Sequence, residues 1–152
     1  MRILPLAAAA AVVLALTGCA SAVTLPPAEE ASDPGCASVV VSLGETIGEQ
    51  TLPEPLERRD TTGQGTAAFG DPSAVTLRCG MPEPAPSTDR CITVGEVDWL
   101  EVATEGDVWT FVSYGRSPAT EVVVDATVVS AVTALEGVSS AVARTERVGA
   151  CS

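Results

Sequence analysis

The chain of 152 residues contains no lysine and no histidine; its eight basic residues are all arginine, set against 20 acidic residues for a net charge of −12. Without lysine there is no Schiff base and no P-loop lysine contact, and without histidine there is no imidazole acid–base pair. The acid excess also excludes nucleic acid as a natural partner, because a binder needs cations to displace phosphate counterions and aromatic platforms to stack bases. Aromatic side chains are scarce. Phe69, Trp99, Trp109, Phe111 and Tyr114 all fall between positions 69 and 114, so the centre of the core is expected in that stretch. No segment repeats at a fixed period, and the length suits one small domain.

The N-terminus carries the most specific signal. Met1-Arg2 supplies a positive charge, and residues 3–16 are an apolar run that as a helix would reach about 21 Å, short of the ~30 Å hydrocarbon core. It reads as the core of a signal peptide. Leu16-Thr17-Gly18-Cys19 follows and looks like a bacterial lipobox: an aliphatic residue, two small residues that let a peptidase approach the backbone, and a cysteine able to take a diacylglyceryl thioether. Residues 1–18 are therefore expected to be a lipoprotein signal peptide, and Cys19 the lipidated (palmitate-type acyl) N-terminus of the mature protein. Two acyl chains at roughly 0.8 kcal/mol per buried methylene hold a protein on a bilayer, where one chain binds reversibly. The alternatives are a plain secretory peptide cut at an Ala-x-Ala-type site or an uncleaved anchor, with Cys19 an ordinary thiol.

Residues 20–33 are small, acidic and carry Pro26-Pro27, a composition that cannot bury a core. Residues 19–32 are thus expected to be a flexible lipidated tether, with a stretched reach of about 50 Å, and residues 33–152 a single extracytoplasmic domain. The expected location is the outer face of the cell membrane. The anchored partner is the lipid bilayer itself.

Beyond Cys19 lie Cys36, Cys79, Cys91 and Cys151, an even number that in an oxidising compartment implies two disulfides. Pro82, Pro84 and Pro86 suit neither a helix nor an inner strand, so a staple at the neck of that loop, Cys79 with Cys91, is the expected pairing, leaving Cys36 with Cys151. On the chain-entropy model the short loop would contribute about 3 kcal/mol and the long one over 4. A cysteine metal site would need a spacing such as C-x-x-C, which is absent, so neither metal nor cofactor is expected.

Asp33-Pro34 is a helix-start signal, with Val39, Val40, Leu43 and Ile47 on one face, and Pro53 and Pro55 limit that helix to about residue 50. Residues 49–66 read as a polar surface loop in which Arg58-Arg59 is a solvated pair between Glu57 and Asp60. From Val75 the period becomes two: residues 75–79, 92–94, 97–103, 108–114 and 121–125 read as antiparallel strands. In residues 108–114 both faces are apolar, which marks a central strand covered on both sides. From Thr127 helical spacing returns, with Val128, Val129, Val132 and Leu135 sharing a face and Gly137 ending or bending the helix. The expected fold is α+β: an antiparallel β-sheet meander with an N-terminal and a C-terminal helix packed on it, stapled by disulfides.

The lipobox LTGC, DPGCA, FGDPSAVTLRCGMP, CITVGEVDWLEV, WTFVSYGRSPATEVVV and a C-terminal cysteine together resemble the actinobacterial lipoproteins built on domain of unknown function 3515. Phe69 stands where members of that family often have a tryptophan. The resemblance implies an envelope location and disulfides, and no established activity.

These residues suit three functions. The first is a non-catalytic binding or assembly module of the envelope with a protein or cell-wall partner, its candidate patch formed by Trp99, Trp109, Tyr114 and Arg116, since Tyr, Trp and Arg dominate interface energetics. The plainer reading of that patch puts both tryptophans in the core and pairs Arg116 with a carboxylate such as Glu121. The second is a cell-wall hydrolase using Glu96, Asp98 and Glu101, although no nucleophile elbow or Walker motif is present and no catalytic residue is assigned. The third, a calcium module, lacks the spaced Asp-x-Asp loop that arranges oxygens around the ion.

Overall fold

The computed structural model describes residues 21–151, so the readings on residues 1–19, including lipidation of Cys19, lie outside the described residues. The elements in chain order are α1 (Pro34–Ser42), β1 (Thr46–Ile47), β2 (Leu56–Arg59), β3 (Thr66–Phe69), β4 (Val75–Met81), β5 (Cys91–Val94), β6 (Val97–Glu105), β7 (Val108–Tyr114), β8 (Arg116–Ser117), β9 (Ala119–Asp125), α2 (Ala131–Val142) and β10 (Glu146–Arg147). Eight strands form one antiparallel sheet in the order β1-β2-β3-β4-β9-β7-β6-β5, and β8 pairs separately with β10. The architecture is the expected α+β: an antiparallel sheet, one helix before it, one after it, and two disulfides.

The sheet is two meanders joined by the pairing of β4 with β9. Strand alternation sends Phe69, Val75, Leu77, Phe111, Val122 and Val124 to one face, in register across the strands, where all are buried with Trp99. The helices cover that face with Cys36 and Val39 of α1 and Leu135, Val138 and Val142 of α2. Asp33 starts α1 by accepting the Gly35 N–H at 2.6 Å, with Pro34 in the first turn. The expected central strand, β7, lies between β9 and β6 with Phe111, Val112 and Ser113 buried.

Several local expectations are corrected. Residues 49–66 are not a loop throughout: β2 pairs with β3 through Arg58 and Arg59, opposite Phe69 and Ala68. A four-residue strand that is half arginine has no apolar alternation for a sequence pattern to catch. α1 ends at Ser42, because Leu43 turns extended and Ile47 enters β1. α2 starts at Ala131 behind the Ser130 cap, which accepts the Thr133 N–H at 3.1 Å. Val129 and Leu135 are buried as expected, whereas Val128 and Val132 are about half exposed. Gly137 neither ends nor bends α2; a Cβ there would lie 2.7 Å from Ile47 Cγ1, so glycine lets the helix lie directly on β1.

The disulfides are Cys36–Cys79 and Cys91–Cys151, which overturns the expected Cys79–Cys91 and Cys36–Cys151 pairing. The reason is topological. Cys79 is on β4 and Cys91 on β5, with β9, β7 and β6 between them, a separation of about 19 Å at ~4.8 Å per strand step, far beyond a disulfide's Cα span. The proline-rich loop is therefore a strap from one half of the sheet to its far edge. The first disulfide instead ties α1 to β4 within the core, and the second ties the C-terminus to the edge strand.

The segment expected to be a free tether is laid along the domain from Ser21 onward. Val23 forms a parallel bridge with Thr61, donating its N–H to Asp60 O at 2.8 Å and accepting that of Thr62 at 3.1 Å. Arg59 Nη2 donates to Ser21 O at 3.2 Å, and the Glu30 N–H donates to Gly80 O at 2.9 Å. Ala31 is buried. Gly63 and Gly80 permit this approach, since a Cβ at either would collide with the segment's backbone at Leu25 and at Glu30-Ala31. Backbone hydrogen bonds and missing side chains hold the segment, and a composition rule sees neither.

Candidate functional site

The four residues of the predicted patch do not converge. Trp99 is fully buried on the helix-covered face, where its Nε1 donates to Ser139 Oγ of α2 at 3.2 Å. Ser139 in turn donates to Leu135 O at 2.7 Å, so the indole is fixed by a relay of two hydrogen bonds. Trp109 is half-buried and packs near Phe111, with ring centroids 6.3 Å apart. Trp99 thus belongs to the core, whereas Trp109 only packs against it.

Arg116 is structural in a different way from the one expected. It is 6% exposed and its guanidinium donates to three backbone carbonyls: Ala143 O at 2.9 Å, Thr145 O at 3.0 Å and Glu96 O at 2.7 Å. Two of these lie at and just beyond the C-terminus of α2, where exposed carbonyls favour a cation. Burial, and then the neighbouring Arg147, lower its pKa from the ordinary arginine value, with Glu96 and Asp98 acting in the opposite sense. The expected partner, Glu121, is taken by Arg78 at 2.7 Å on the opposite face of the sheet. Backbone carbonyls outcompete a surface carboxylate here because they are already buried and need donors.

Tyr114 is the patch residue that lines a cleft. It is half-buried and by register lies with Leu100 and Asp98 on the face without helices. The strap of residues 82–90 passes over this face, and a cleft of about 380 Å³ opens between Pro86, Ser87, Thr88 and Asp89 on one side and Leu100, Tyr114 and the Cys91–Cys151 disulfide on the other. Ser87 Oγ donates to Asp89 Oδ2 and accepts the Asp89 N–H at 3.0 Å, which shapes the rim. The cleft thus offers an apolar wall, a phenolic hydroxyl and a carboxylate. It can bind a neutral or cationic polar group. The strap residues were missed as a wall; their signal was the alternate prolines, which enforce an extended path.

The candidate carboxylates are dispersed. Asp98 accepts Thr93 Oγ1 at 2.7 Å and the Cys151 N–H at 2.9 Å, anchoring the C-terminus beside its disulfide. Glu101 accepts Thr104 Oγ1 at 3.0 Å and faces Arg90 at 3.5 Å. Glu96 sits in the β5–β6 turn beside Glu136, Ser139 and Ala143. Among the described residues no three His, Cys, Asp or Glu side chains are placed to hold a metal ion, and no helix is long and apolar enough to cross a membrane.

A second hollow, about 510 Å³, lies where the N-terminal segment meets β2 and is lined by Glu45, Arg58, Arg59, Asp60, Thr61 and Gln64, among others. The Arg58-Arg59 doublet is not a solvated pair. Arg58 donates to Val40 O at 3.0 Å and Leu43 O at 3.3 Å, closing the C-terminal end of α1, and Arg59 bridges Ser21 O, Gly70 O and Asp71.

Comparison with known families matches residues 3–150 to the family described as Protein of unknown function (DUF3515). No curated protein and no solved structure matches the chain. With the match running over nearly the whole length, the chain belongs to the DUF3515 family.

Proposed function

We propose that the protein is a lipid-anchored, non-catalytic binding or assembly module on the outer face of the cytoplasmic membrane, attached through Cys19. One observation carries this reading. Among the described residues Cys36, Cys79, Cys91 and Cys151 are all consumed in two disulfides, and the fifth cysteine of the sequence, Cys19, stands outside these pairs directly behind Leu16-Thr17-Gly18. Two disulfides suit an oxidising compartment, and the odd cysteine has the sequence context of a lipid acceptor. The Tyr114 cleft is the surface we assign to an envelope protein or wall partner, since its tyrosine and its disulfide are partly exposed.

Metabolic labelling tests the anchor. Cells fed an alkyne-bearing palmitate analogue should yield labelled protein in the membrane fraction, and Cys19→Ala should abolish the label. Unlabelled wild-type protein in the soluble fraction would refute the reading.

A further inference from the structure

The docked N-terminal segment changes what an anchor at Cys19 would do. If the chain were free to residue 32, the domain could stand some 50 Å from the lipid. Among the described residues the first contact is instead at Ser21, whose carbonyl accepts Arg59 Nη2, and the next are at Val23 with Asp60 and Thr62. Only the step from residue 19 to residue 21 separates anchor from domain, about 7 Å of chain at full stretch.

Charge favours the same placement. The chain carries −12 overall, and such a body is repelled by an anionic leaflet. The hollow beside Ser21, however, is lined by Arg58 and Arg59 against Glu45 and Asp60, with uncharged Thr61 and Gln64 between them. Its formal charge is zero. The surface nearest the anchor is therefore balanced in formal charge within an otherwise acidic molecule, its two arginines turned onto backbone carbonyls and Glu45, Asp60 and Gln64 exposed, while the opposite edge of the sheet, β5 with its disulfide and the Tyr114 cleft, lies six strand steps from β2, about 29 Å across the sheet.

We infer that the surface formed by residues 21–23 and 58–65 rests on the phospholipid headgroups, so that the domain is held on the bilayer by its β2 side with the β5 edge directed away. The partner of this surface is a lipid bilayer. The inference rests on the anchoring reading above and adds orientation to it.

Hydrogen exchange on the protein purified from membranes with its native N-terminus tests it, in detergent micelles and in vesicles of phosphatidylglycerol and phosphatidylethanolamine, alongside intact mass. In micelles the amides of Val23 and Glu30 should already be protected. In vesicles, peptides covering 58–65 should slow a further tenfold or so, with no change over 82–90. A five-residue Gly-Ser spacer between Ala20 and Ser21 should abolish the vesicle-specific slowing and keep the micelle protection of Val23. Gly63→Ala, which drives a methyl into the Leu25 carbonyl, should loosen residues 23–27 and weaken both effects. A lipidated mass with 58–65 unaffected by vesicles, or with 82–90 protected instead, overturns the orientation while the anchor stands. An unlipidated mass overturns the anchor and the orientation with it, whereas Val23 protection still reports the docked segment.

Discussion

Arg116→Ala separates a structural arginine from a binding one. The wild-type guanidinium donates three hydrogen bonds to backbone carbonyls at 2.7 to 3.0 Å, in a site 6% exposed. Hydrogen bonds to a charged partner contribute about 1.5–3 kcal/mol each before non-additivity, and removing the donor leaves buried acceptors without partners. Water entering the vacated space recovers part of that loss, so the expected cost is about 3–5 kcal/mol. In a domain of marginal stability this is a large fraction of the whole, and it corresponds to a fall in Tm of roughly 10–15 °C. Urea unfolding of the oxidised protein, followed by tryptophan fluorescence, should show a lower midpoint with an unchanged slope. Arg116→Lys should recover only part of the loss, because an ammonium cannot reproduce the planar fork that reaches both α2 and the β5–β6 turn. A stability for Arg116→Ala within about 0.5 kcal/mol of wild type, the range of ordinary surface substitutions, would refute the argument.

Other consequences are equally open to measurement. Ser139→Ala removes the acceptor of the buried Trp99 Nε1 and should cost about 1–3 kcal/mol in the same urea assay; a neutral result would mean the indole finds another partner. Gly137→Ala should destabilise by about 1–3 kcal/mol through the clash with Ile47, although helix propensity alone predicts a gain of up to ~1 kcal/mol, so the sign of the change decides between them. Non-reducing peptide mapping should recover Cys36–Cys79 and Cys91–Cys151, and mild reductant should open the second first, since both its cysteines are partly exposed while Cys36 and Cys79 are fully buried. The Asp125 carboxyl is held below its ordinary pKa by the Thr127 side chain and then the Thr127 N–H. Its contribution to stability is therefore present above the unfolded carboxyl pKa and lost as pH falls through the lower folded value. An NMR titration should show Asp125 rising toward the ordinary carboxylate range in Thr127→Ala, and no movement would contradict the assignment.

The readable parts of the fold were those with strong periodicity. Val75 to Cys79 and Val108 to Tyr114 alternate or are apolar on both faces, and they became β4 and β7 at the heart of the sheet. β2 was invisible because two of its four residues, Arg58 and Arg59, are recruited for the carbonyls of α1, Ser21 and Gly70, and a guanidinium used in this way looks in sequence like any surface arginine. The disulfide pairing failed because a short loop between Cys79 and Cys91 suggests proximity, while the strand order sends the chain across the whole second meander. Tyr114 was located as a surface residue of the candidate site, but its neighbours come from a strap distant in register. Sequence adjacency to Trp109 and Arg116 could not supply them.

The most direct test of the anchored reading is the intact mass of the protein extracted from the cell envelope without reductant. The expected species is a chain beginning at residue 19, heavier by a diacylglyceryl group, with every remaining cysteine oxidised. An N-terminus free of lipid together with titratable thiols at positions 36, 79, 91 and 151 would contradict it.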